Sequence, residues 1–174
     1  MNKTRCIALA LALALPGAQA HAQVACASLT INAAAAAVAQ ARARGAACGS
    51  RGGFGAAAPL RWSPTLDRVA REQALWVMES GRLTHAGRDG QSLGQRAATA
   101  GYRYARIAEN LAQGQEDLAE VMAAWAASDG HCANLHDAGV SEMALACRPA
   151  ADGQPIWVLV LARPLVAAAP GPAR

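Results

Sequence analysis

Two imidazoles and two carboxylates, His85, Glu109, His131 and Glu142, stand in short segments where a polar side chain needs a reason. Their settings are Leu83-Thr84-His85, Ala108-Glu109-Asn110-Leu111, Ser128-Asp129-Gly130-His131-Cys132-Ala133-Asn134-Leu135 and Val140-Ser141-Glu142-Met143-Ala144. Brought together, the four could hold a divalent metal, share protons or polarise a water. Taken singly, each has an ordinary explanation. His85 in a polar loop could be solvated, and His131 could cap or hydrogen-bond its own turn. Glu109 is harder to explain away, because a carboxylate inside the apolar run 107–111 must be exposed, paired or protonated. Glu142 shares a period-two face with Val140, Ala144 and Ala146, so it too asks for a partner. His136, Trp125, Met122 and Trp76 are read as packing or surface residues.

The elements that would position these side chains are legible in outline. Residues 28–44 are Ala-rich with no breaker, which predicts a helix of high intrinsic propensity. Ser63 is a good N-cap and Pro64 suits the first helical turn, and Leu66, Val69, Ala70, Gln73 and Val77 follow at helical spacing to Gly81. A polar loop, 82–91, carries His85. Leu93, Arg96, Ala97 and Ala100 then predict a short helix stopped by Gly101. The segment 107–111 reads as a brief strand or turn around Glu109. Leu118, Val121, Met122 and Trp125 give a helical stripe within 115–128, and Asp129 caps a short turn holding His131 and Asn134. The last third changes period: 140–147 and 156–162 are β-like around the turn signal at 151–155, which predicts an antiparallel hairpin ended by Pro164. Helices first and a hairpin last predict an α+β fold, with helices covering an antiparallel sheet.

Composition narrows the classes further. Lys3 and Arg5, an apolar run from Ile7 to Leu15, and small residues at Ala18-Gln19-Ala20 read as a secretory signal peptide spanning 1–20, with a second plausible cleavage site after Ala22. The run is too short for a membrane span, which needs roughly 20 residues, and no transmembrane segment is expected in the mature chain. Cys6 precedes the run, which argues against a lipoprotein anchor. What remains is about the size of one domain; residues 28–164 are expected to form it, with 165–174 as a flexible tail. A run of like charges or an aromatic-and-basic stripe is missing, which argues against nucleic acid, and a monomer is expected.

Four cysteines follow the leader, Cys26, Cys48, Cys132 and Cys147, and an even number in an exported protein predicts two disulfides. Three connectivities are open, and the two local pairs, Cys26–Cys48 and Cys132–Cys147, are the expectation. The first closes only if the helix between its cysteines is short and its flanks fold back.

The order of motifs resembles a known family. Leu60-Arg61-Trp62-Ser63-Pro64, His85 followed by Asp89-Gly90, Ala100-Gly101-Tyr102, Glu109-Asn110, Trp125-x-x-Ser128-x-Gly130-His131-x-x-Asn134-Leu135 and Ser141-Glu142-Met143 are similar to the bacterial branch of the CAP superfamily, also called SCP-like domains. The resemblance runs from about Leu29 to Pro164. It implies a three-layer α-β-α sandwich and a surface cleft in which His85, Glu109, His131 and Glu142 converge, with zinc or another divalent ion bound in some members. Ala108 and Ala144 replace usual glycines and His136 an apolar residue, and none of these removes one of the four side chains. An open site with two His ligands implies a weakly held Zn²⁺ or similar ion, exchanging with solvent.

Three functions are then weighed. The favoured one is an exported binding module, periplasmic or extracellular, whose cleft takes a divalent metal and a small ligand, namely a lipid, glycan or peptide. The alternative is a metal-dependent hydrolase acting on cell-envelope or extracellular substrates, with Glu109 or Glu142 as general base. It lacks a His-Glu-x-x-His helix and a Gly-x-Ser-x-Gly elbow. A purely structural role, with the four residues as a polar network holding helices to the sheet, is the third.

Overall fold

The computed structural model describes residues 25–165. The expected signal peptide and the tail beyond Leu165 lie outside the described residues.

Helix α1 (Ile31–Arg42) begins where the Thr30 hydroxyl accepts the Ala33 amide at 3.1 Å, and it buries Ala34, Val38 and Arg42 on one stripe. A small hairpin, β1 (Ala46–Ala47) and β2 (Gly53–Phe54), closes around a single 3₁₀ turn at Gly49–Arg51. Strand β3 (Arg61–Trp62) leads into α2 (Pro64–Ser80), capped by Ser63 and ended by Gly81 in the left-handed region, as its sequence predicts. Helix α3 (Leu93–Thr99) opens with a reciprocal capping box between Ser92 and Gln95. After it come β4 (Tyr104–Gln113), α4 (Leu118–Ala126), α5 (Asp129–His136), β5 (Glu142–Pro149) and β6 (Pro155–Pro164).

The main sheet has the order β3-β5-β6-β4. β6 pairs antiparallel with both β4 and β5, while the two-residue β3 lies parallel to β5, so the expected antiparallel sheet acquires a short parallel edge. Central β6 is buried from Pro155 to Ala162 because both of its faces are covered. Ile156, Val158, Val160 and Ala162 pack with Leu66, Val69 and Val77 of α2 and Ala97 of α3. Trp157, Leu159 and Leu161 point the other way, to Val38 of α1, Val121 and Trp125 of α4, and Leu135 of α5. This period-two division makes the three α-β-α layers. Each fully buried Leu or Val adds about 1.5–3 kcal/mol of transfer free energy, and an ionised side chain at Leu159 would face neighbours that cannot pair with it.

Several expectations need correction. The brief segment around Glu109 is part of a ten-residue strand, because β6 offers it a ladder from Tyr104↔Pro164 to Gln113↔Ile156. The turn holding His131 is an eight-residue helix. The preceding helix starts only at Leu118, since Asp117 caps it by accepting the Glu120 amide at 2.8 Å. Val140 precedes β5 and packs in the α1/α4 cluster, away from the face that Glu142 shares with Ala144 and Ala146.

The disulfides also pair otherwise than expected: Cys26 joins Cys147 and Cys48 joins Cys132, with Cα separations of 5.0 and 5.5 Å. The expected local pairs, Cys26–Cys48 and Cys132–Cys147, do not form. Twelve helical residues hold the two ends of α1 roughly 18 Å apart, which separates Cys26 from Cys48. Cys147 is carried along β5 away from α5, on which Cys132 sits. The bridges instead fasten one end of α1 to the sheet and the turn beyond its other end to α5.

Candidate functional site

His85 is placed by the loop that returns from α2. Its neighbouring carbonyls are consecutive acceptors: Gln73 Nε2 donates to Thr84 O at 2.6 Å, Arg96 Nη2 to His85 O at 3.3 Å, and Trp76 Nε1 to Ala86 O at 3.1 Å. Gly87 lets the loop lie against Arg96, for a Cβ there would stand 2.5 Å from Arg96 Cδ. The imidazole itself stays largely exposed, and its Nδ1 lies 2.9 Å from Glu109 Oε1.

Glu109 is the sealed member of the group, with a side chain only 2% exposed. Its second oxygen accepts Arg96 Nη2 at 2.8 Å, and the Arg96 side chain is itself 5% exposed. An ionised carboxylate accepts only, so with Glu109 ionised the shared proton sits on His85 Nδ1 and Nε2 is left outside that hydrogen bond. The Glu109 hydrogen bond raises the proton affinity of His85 above the ordinary histidine range, against the opposing effects of partial burial and of Arg96.

His131 comes from the other face of the sheet. Strand β4 turns Glu109 toward α2 and α3 and the next residue, Asn110, toward α5. The buried Asn110 amide donates to His131 O at 3.0 Å and its oxygen accepts Asn134 Nδ2 at 2.9 Å, which fixes the first turns of α5 against β4. Cys132 holds the same helix through Cys48. β4, which carries Glu109 and Asn110, is an edge strand of the sheet. The two histidines are near enough that the charge of His85 adds to burial in lowering the proton affinity of His131. Protonation is thereby disfavoured at His131 and favoured at His85.

Glu142 belongs to a different network. It opens β5 in register with Arg61 of β3, whose Nη2 donates to Oε1 at 2.7 Å, and the Tyr102 hydroxyl donates to Oε2 at 2.7 Å. Burial and the adjoining carboxylate push the Tyr102 hydroxyl well above its ordinary range, so it remains a proton donor in the bond. The structure thus joins His85 to Glu109 and brings His131 near, while Glu142 bonds to Arg61 and Tyr102. Among the described residues, no three His, Cys, Asp or Glu side chains are placed to share a metal ion.

Sequence reasoning assigned no role to Arg96, Arg61, Gln73 or Asn110. Arg96 carried a usable signal, since an arginine at a buried position of the Leu93, Ala97, Ala100 stripe needs an acidic partner. His136 is buried, as a packing residue would be, and Trp125 is too, with its indole N–H donating to Leu111 O at 3.2 Å.

A family model described as the Cysteine-rich secretory protein family, CAP, matches residues 55–161. An outer surface protein of Borrelia burgdorferi is similar in structure with a TM-score of 0.57 and 25% identity, covering 61% of this chain and 78% of that one. An extracellular SCP-domain protein of Bacillus anthracis has a TM-score of 0.57 at 18% identity, with coverage of 62% and 34%. A cysteine-rich secretory protein of Staphylococcus aureus has a TM-score of 0.50 at 19% identity, with coverage of 62% and 32%. The chain therefore spans about a third of the length of the last two, whose likeness is one of fold. No curated protein sequence matches the chain.

Proposed function

Because the chain belongs to the Cysteine-rich secretory protein (CAP) family, we propose that it is an exported binding domain whose histidine pair takes an exchangeable divalent cation beside a cleft for a small lipid, glycan or peptide ligand. The observation that carries the metal half is the Glu109 carboxylate on His85 Nδ1. A metal-bound histidine usually donates its other ring N–H to a carboxylate, which fixes the tautomer and raises the basicity of the free nitrogen. Here that leaves His85 Nε2 and the imidazole of His131 as donors. The donor set fits an open site completed by non-protein ligands and does not fit a closed centre, because both oxygens of Glu109 and both of Glu142 are already engaged. A bound Zn²⁺ or similar ion would supply Lewis acidity to whatever ligand completes its shell.

The same engagement of the carboxylates weighs against the hydrolase. A general base must reach the proton it removes, and Glu109 is enclosed between Arg96 and His85. Two disulfides suit an oxidising compartment, the periplasm or the extracellular medium.

Zinc titration by calorimetry tests the proposal. The wild type should give saturable heat, His85→Ala with His131→Ala should give none, and Glu109→Gln should weaken binding roughly 10- to 100-fold. Equal heats in the wild type and the double variant would sink it.

A further inference from the structure

Against α5, at Gly130, Ala133 and Asn134, lies a cavity of about 400 Å³ that neither histidine lines. Its walls are Arg51 and Phe54 of the small hairpin, Arg106 of β4, Ala133 and Asn134 of α5, and Asp137. The hairpin is brought in by two glycines. Gly45 adopts φ +64°, and a Cβ there would stand 2.5 Å from Phe54 O; Gly49 adopts φ +52°, and a Cβ there would collide with the Asp129 carboxylate at 2.2 Å. The Cys48–Cys132 bridge then fastens hairpin to helix. The hollow is thus built by the fold rather than left between loose loops.

Its charges are unevenly satisfied. Asp129, the carboxylate next to Arg51, is turned onto Ser50, accepting both its amide at 2.8 Å and its hydroxyl at 2.6 Å. Arg51 makes no ion pair among the described residues. Asp137 is likewise committed, one oxygen to the Gly139 amide at 2.8 Å and the other to Arg106 Nε, and the terminal nitrogens of Arg106 make no hydrogen bond among the described residues. Arg163, the register partner of Arg106 on β6, adds a further exposed cation beside it. Guanidinium groups with unused donors select an oxyanion, which they can grip bidentately. Phe54, the one phenylalanine of the chain, contributes a half-buried ring, an apolar face on which the C–H side of a sugar can lie. The volume lies within the range of small-ligand sites.

We infer that this cavity binds an acidic hexose unit, its carboxylate or sulfate held by Arg51 and Arg106 and its ring packed on Phe54. The inference rests on the reading of the chain as a ligand-binding domain, and it is independent of the cation because neither His85 nor His131 lines the cavity. A neutral sugar would leave Arg51 and the terminal nitrogens of Arg106 without a charged acceptor beyond Asp129 and Asp137, and a bare oxyanion would leave the ring of Phe54 uncovered.

The test is two-dimensional amide NMR of the disulfide-intact protein in EDTA, titrated with glucuronate, glucose 6-sulfate, glucose and inorganic sulfate. Both acidic sugars should shift the amides of Gly130 and Ala133 saturably. Glucose and sulfate should bind at least tenfold more weakly, and Arg51→Gln and Phe54→Ala should each weaken glucuronate by about tenfold. Absence of saturable shifts with either acidic sugar, equal binding of glucose or of free sulfate, or unchanged affinity in Arg51→Gln would each overturn the inference. Zinc calorimetry on the same preparation, after the EDTA is removed by dialysis, separates this outcome from the fate of the metal site, since either can fail while the other stands.

Discussion

His131 rides on a helix joined covalently to a neighbouring hairpin, whereas His85 rides on a loop held by noncovalent ties alone: hydrogen bonds from α2 and α3, the bond to Glu109, and Arg88 paired with Glu79 and stacked on Trp76. Both reach the edge of β4, yet the first is held from outside the sheet by a bond that survives local opening. The second depends on a buried cation, Arg96, and on three carbonyls finding their donors at once. A disulfide restrains the unfolded chain, while a buried polar network stabilises only when complete. The His131 side should therefore be the fixed half of the site and the His85 side the half that opens first.

The largest test of this contrast removes the bolt. The Cys48–Cys132 bridge spans 84 residues, and its loss as Cys48→Ser with Cys132→Ser should cost about 4–5 kcal/mol in the chain-entropy picture, read by denaturant unfolding. Opening Cys26–Cys147, with a span of 121 residues, should cost about as much globally. Only the first should lower hydrogen-exchange protection of the α5 amides around His131 relative to the rest of the molecule. If both variants loosen α5 equally, the covalent tie is not what fixes that half.

The next test attacks the polar half. Arg96→Ala leaves the Glu109 carboxylate buried without its cation and should cost about 3–5 kcal/mol, with His85 released from its ordered position. Arg61→Ala makes the formally similar change at Glu142, but there the arginine side chain is 75% exposed, and the expected cost is below about 1 kcal/mol. Equal melting temperatures for the two variants would mean that the Glu109 network is not the anchor of the His85 loop.

How much of this could be read from the residues differs between the two halves. Helix α2 was legible to its ends, because Ser63, Pro64 and Gly81 are local signals acting over one turn. The need of Glu109 for a partner was legible as well, in the demand that a carboxylate among Ile107 and Leu111 be satisfied, and His85 and Arg96 meet it. Pairing was not legible. The extent of β4 depends on the ladder that β6 offers, and the bridges depend on where α1 directs its two ends, both of which are long-range outcomes. The same holds for Glu142: its sequence setting asked for a partner, but only the parallel register of β3 shows that Arg61 supplies it in place of the histidines.

The smallest effect, and the most specific, is in pH. His85 has its proton affinity raised by Glu109, so its contribution is fully present below the unfolded-state value of about 6.5 and fades as pH rises through the higher folded value. His136, at the end of α5, is buried beside Arg42 and has its affinity lowered, by burial first and then by that charge. Its unfolded form binds the proton more readily, so stability is lost as pH falls through about 6.5. The two halves of the molecule should therefore respond to acid with opposite signs. Melting temperatures from about pH 5 to about pH 8 should show His136→Asn less sensitive to acid than the wild type, and His85→Asn more sensitive. Because the His85 ring is 61% exposed, its term should be the weaker of the two. A His85→Asn curve parallel to that of the wild type would show that the bond to Glu109 orders the imidazole without holding its proton.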